Sequence, residues 1–164
     1  MISANIAGYT FALLLGHFAI YYISKALWAN FTTPSVSIDQ LRPSPSHPAI
    51  VGFIERALYV ASIQMGAPQF IGVWLAIKVA GQWRRWGEGY NKDNDEVVVT
   101  GREFFNVFLI GSGLSIAYAL VGALIIGWLQ DDKCGLAVLV ALVLVFATAA
   151  IFGVVKWNRK GGPV

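Results

Sequence analysis

The chain is poor in the residues with which most soluble enzymes do chemistry. Its 164 residues hold one cysteine and two histidines. A single cysteine, Cys134, excludes an internal disulfide and a multi-cysteine metal site. His17 and His47 have no Cys, His or carboxylate partner at a recognisable ligand spacing, so no metal is expected. There is no nucleophile elbow, phosphate-binding glycine loop, zinc helix or kinase signature. Nothing in the residues argues for an enzyme, and no cofactor is expected. Asp93-Asn94-Asp95-Glu96 lacks the spaced ligands and the glycine of a calcium loop and reads as a solvated turn.

Charge is scarce as well. Charged residues make up 13% of the chain and hydrophobic residues 57%, whereas a soluble domain carries about 25% charged residues. The net charge is only +3. The basic residues flank apolar runs instead of forming a stripe with aromatics, which argues against nucleic acid as a partner.

What the sequence has in abundance is long apolar runs. Residues 136–155 contain no charge, and as a helix they would reach ~30 Å, the thickness of a bilayer's hydrocarbon core. Five such segments are expected: Ile6–Trp28, Pro48–Gly66, Gln69–Trp86, Phe104–Leu129 and Leu136–Trp157. No Lys or Arg precedes the first run, and its first positive residue, Lys25, stands near its C-terminal end, the order of a retained anchor rather than a cleaved signal. The fold expected is an all-α polytopic transmembrane helix bundle, one domain over residues 1–164. Polar loops at about 29–47 and 87–103 interrupt it.

Residues 48–86 are too long for one crossing. Gly66-Ala67-Pro68 stands in their middle, and proline both removes a helical hydrogen bond and restrains the residue before it. A break at Pro68 gives two short helices in a hairpin. Charge asymmetry supports this count. With five segments, Lys25, Arg42, Arg84, Arg85, Lys92, Arg102, Lys156, Arg159 and Lys160 share one side, and Lys133 stands alone on the other. Arg56 and Lys78 stay within the membrane and complete the twelve. The N-terminus is then outside and the C-terminus cytoplasmic. The hairpin either crosses twice or is re-entrant, since the loop sides are the same in both. Trp28, Trp83, Trp86, Trp128 and Trp157 fall at the expected lipid–water boundaries.

Small residues mark the packing faces. Gly111, Ser115, Ala119, Ala123 and Gly127 recur every four residues in the fourth segment, and Gly8, Ala12 and Gly16 do so in the first. In lipid, close backbone approach at small residues drives helix association, so these two segments are expected to be central and in contact, within one subunit or across a dimer. The last segment has no polar stripe and is expected at the lipid-facing edge.

The charged residues inside the apolar segments are the candidate site. A turn near residues 67–68 sets Glu55 close to Lys78, and spacing alone predicts a neutralising contact. Adjacent helical residues point about 100° apart, so Glu55 and Arg56 address different neighbours. Tyr59, Gln82 and Asn106 are expected at a similar level. One reading makes Glu55, Arg56, Lys78 and Asn106 a satisfied network that fixes helix packing in a subunit or accessory component of a membrane assembly. The other makes the cluster a small transporter or channel, or a site for an anionic lipid or amphiphile. The expected partners are membrane lipids and either further copies of the chain or other membrane subunits. The expected location is the bacterial cytoplasmic membrane.

Overall fold

The computed structural model describes residues 1–31, 46–88, 90–91, 97–99 and 101–161. Most of the 29–47 loop and the Asp93–Glu96 turn lie outside the described residues, as do the side chains of His47, Arg84, Arg85, Arg159 and Lys160. The architecture is helical. The first rod consists of α1 (Ile2–Thr10), a π turn (Phe11–Leu15) and α2 (Gly16–Phe31). The hairpin is α3 (Ser46–Gln64) and α4 (Gln69–Glu88). Two long helices follow, α5 (Gly101–Gln130) and α6 (Cys134–Gly161). Among the described residues the one strand pairing is a short antiparallel ladder, β1 (Tyr90–Asn91) with β2 (Val97–Val99), between α4 and α5.

Three helices are long and apolar enough to cross a membrane: Ile2–Ala29, Gly101–Gln130 and Cys134–Trp157. The last packs along one side only, with 6% of its window buried. Leu139, Val143, Phe146 and Val154 on its surface are all exposed, the side-chain pattern of a helix facing lipid.

The hairpin turn follows from local chemistry. Gly66 has φ of 72°, a left-handed conformation that glycine adopts without steric cost. Ala67 N–H donates to the Ser62 carbonyl at 2.8 Å and Gly66 N–H to the Ile63 carbonyl at 3.1 Å. This pair is a Schellman closure of α3. Pro68 then precedes α4, where its missing N–H costs nothing because the first amides of a helix have no partner anyway.

The core is built on α5. On one side Tyr59, Val60, Ala12, Ala119, Ala123 and Ile126 form a buried cluster that joins the hairpin and the first rod to α5. On the other, Phe11, Tyr118, Val121, Ile125 and Ala137 join the first rod and α6 to α5. Phe11 stacks on Tyr118 with ring centroids 5.5 Å apart. The Tyr118 hydroxyl donates to Thr148 Oγ1 at 3.0 Å, and Thr148 donates to the Leu144 carbonyl at 2.7 Å.

The first rod and α5 meet at glycine, as the small-residue pattern predicts. Gly8 lies against the carbonyl oxygen of Gly122 and the side chain of Ile126. A Cβ on Gly122 would stand 2.7 Å from the Gly8 carbonyl oxygen and 2.9 Å from Ala12 Cβ. Close backbone contact of this kind is what holds helices together in lipid. The face on α5 nonetheless differs from the expected one. A Cβ on Gly111 or Gly127 would meet nothing within 4 Å. The contact line instead runs through Ser115, Ala119, Gly122, Ala123 and Ile126.

The reason is helical phase. A spacing of four overshoots one α turn by about 40°. Four such steps turn Gly127 about 160° from Gly111, too far for one straight neighbour to touch both. The first rod escapes this drift through its π turn. Bonds closing i→i+5 take more residues per turn, so the step from Ala12 to Gly16 falls short of a full circle and offsets the excess from Gly8 to Ala12. Gly8, Ala12 and Gly16 are all buried as a result.

A candidate intramembrane charge cluster

Glu55 is 3% exposed and Arg56 2% exposed, although both are charged residues on an apolar helix. Their neighbours on α3 differ, as the 100° step between them requires. Glu55 faces α4. Lys78 Nζ lies 2.9 Å from each of its carboxylate oxygens, and Trp74 Nε1–H donates to Oε1 at 2.9 Å. Lys78 also donates to Ser112 Oγ at 3.5 Å and stands 5.3 Å from the centre of the Phe108 ring. One ammonium thereby ties α3, α4 and α5 together. The Glu55–Lys78 contact that the hairpin spacing predicts is present.

Arg56 faces the first rod and α5. Its Nη1 donates to Ser115 Oγ at 3.3 Å. Gly16 and Gly52 leave room for the side chain: a Cβ on Gly16 would lie 3.1 Å from Arg56 Cδ, and one on Gly52 would lie 3.3 Å from Nη1. Nε and Nη2 are buried and have no hydrogen-bond partner among the described residues. Ser115, expected only as a packing residue, is thus also a polar partner of the cluster.

Tyr59 is fully buried one turn from Glu55 and belongs to the apolar cluster around Ala119. Gln82 is half-buried one turn beyond Lys78. Asn106, expected in the cluster, is exposed. It stands nine residues before Ser115, which places it about 180° away around α5. Depth suggested Asn106, but angle decides, and Ser112 occupies the position beside Lys78. Gln64 also reaches α5, its Nε2 donating to the Ala123 carbonyl at 2.9 Å. His17 is half-buried among aromatics, with ring centroids 5.7 Å from Phe18 and 6.4 Å from Tyr21.

Trp74 and Ser112 are the members that sequence reasoning missed. Trp74 had a readable signal, since it precedes Lys78 by four residues and shares its face. Ser112 had none beyond its spacing from Phe108. Among the described residues no three His, Cys, Asp or Glu side chains are grouped so as to hold a metal ion.

Comparison with protein-family models, with curated proteins and with solved structures returns no match.

Proposed function

We propose that the chain is a small integral membrane protein that serves as a subunit or accessory component of a membrane assembly, its charged cluster fixing the packing of its helices. The observation that carries this reading is the engagement of Glu55. Both carboxylate oxygens are taken up by Lys78 and Trp74. A proton-coupled transport site needs a carboxylate that exchanges its proton with water, whereas an anchored one sets helix register. The tie also spans three helices, so it fixes the hairpin against α5.

The outer surface agrees with a component that has neighbours. Gly72, Ala76 and Ala80 recur every four residues on α4 and are exposed, small residues like those with which the first rod meets α5 at Gly8 and Ala12. We place the N-terminus outside and the C-terminus in the cytoplasm of a bacterial inner membrane, on the asymmetry of basic residues. The 19 residues of α3 and the 20 of α4 reach about 28–30 Å, which is long enough for each arm of the hairpin to cross.

Native mass spectrometry of the full chain released gently from detergent tests this. The reading expects a discrete assembly larger than one chain, either a homo-oligomer or a complex of fixed stoichiometry. A single chain at every detergent and protein concentration contradicts it.

A further inference from the structure

Arg56 is the member of the cluster that the structural tie does not use. The three charged groups Glu55, Arg56 and Lys78 sum to one positive charge, and the carboxylate is committed to Lys78 and Trp74. The guanidinium cannot shed its proton to escape the cost of burial, as a lysine does. A buried charge is stable only when it is paired and hydrogen-bonded.

The unpartnered atoms are informative in their identity. Nη1 is held by Ser115, whereas Nε and Nη2 are both free. Their N–H bonds run side by side along one edge of the guanidinium. That edge is the fork that grips two oxygens of a carboxylate or phosphate at once. The side chain is also built in from both sides, because Gly16 and Gly52 stand where any side chain would crowd Cδ and Nη1.

We propose that the Nε–Nη2 edge of Arg56 is a receptor for one oxyanion, a phosphate or carboxylate group, seated between α2, α3 and α5. The anion supplies the missing negative charge and accepts the two orphaned donors. It comes from a lipid headgroup or from a free anion. Since neither nitrogen is open to solvent, α2 and α3 must part locally to admit it. This inference does not depend on the assembly reading, which rests on Glu55 and on stoichiometry.

The test is the full chain with 15N-labelled arginine in dodecylmaltoside micelles, which carry no oxyanion, with the Arg56 Nε–H resonance assigned by loss in R56K. One arm adds phosphatidylglycerol to the micelles. A second adds inorganic phosphate, and a third adds acetate, both to lipid-free micelles. A saturable shift of the Arg56 resonance in the lipid arm alone identifies a headgroup. A shift in the phosphate or acetate arm identifies a free anion. Native mass spectrometry then gives affinity, and R56K, which keeps the charge and loses the fork, weakens binding by about tenfold or more. If R56K does not fold, the resonance is assigned instead by its displacement in G52A, whose Cβ would stand 3.3 Å from Nη1, and the three arms on the wild-type chain decide alone. No shift of the wild-type resonance in any arm overturns the proposal, as does equal binding by folded R56K.

Discussion

Adding one methyl group at Gly122 tests the packing of the first rod on α5. The new Cβ would stand 2.7 Å from the Gly8 carbonyl oxygen and 2.9 Å from Ala12 Cβ. Comfortable carbon contacts lie at about 3.5–4.0 Å, so the two helices must separate by roughly 0.5–1 Å. The obstacle is backbone and cannot rotate away. A gap of that size forfeits about a quarter to a half of each dispersion contact along the seam, and overpacking of this kind costs about 1–3 kcal/mol. Alanine returns about 0.5–1 kcal/mol over glycine within a helix. G122A should therefore lose about 0–2.5 kcal/mol net. G127A, whose Cβ meets nothing within 4 Å, should be neutral or gain up to about 1 kcal/mol. Equilibrium unfolding in mixed dodecylmaltoside–SDS micelles, followed by circular dichroism, ranks the two against wild type. If G122A resists SDS as well as G127A does, the proposed seam is misplaced.

Two further substitutions probe the hairpin. W74F removes the indole N–H bonded to the Glu55 carboxylate and should cost about 1.5–3 kcal/mol, the worth of a hydrogen bond to a charged group; an unchanged SDS midpoint contradicts that bond. G66A meets no atom within 4 Å, so its loss is one of backbone conformation, about 1–2 kcal/mol. G66N should lose less than G66A, because asparagine tolerates the left-handed region, and equal losses would place the cause elsewhere.

Much of the architecture is written in local features. The apolar runs mark all five helical rods, with ends within a few residues of the observed ones. Gly66 and Pro68 place the hairpin turn, since one supplies the left-handed residue and the other stops a continuous helix. Once the turn is placed, the Glu55–Lys78 contact follows from counting residues along two antiparallel helices. What escaped depends on angle. Gly111 and Gly127 share a spacing with Ser115 and Ala119, yet accumulated drift along α5 turns them off the seam. Asn106 has a suitable depth and faces the opposite way. The π turn that keeps Gly8, Ala12 and Gly16 in phase leaves no mark in Phe11–Leu15, whose residues suit an ordinary α-helix equally well. Such a turn sets Phe11 against Tyr118 and brings Gly16, which follows it, beside Arg56 and Tyr118, all distant in sequence. The orphaned edge of Arg56 is likewise invisible before the positions of Ser115 and Glu55 are known.

A double-mutant cycle between Glu55 and Lys78 measures most directly whether the cluster fixes the packing of these helices. Wild type, E55Q, K78M and the E55Q/K78M variant are unfolded in the same mixed micelles. Each single substitution leaves a charge, half-buried at Lys78 or buried at Glu55, without its ionic partner, and the double removes both charges of the pair. The account predicts that the double variant is less damaged than the sum of the singles, with a coupling of at least about 1.5 kcal/mol. Additive losses, with coupling indistinguishable from zero, would mean that Glu55 and Lys78 do not hold the hairpin to its neighbours.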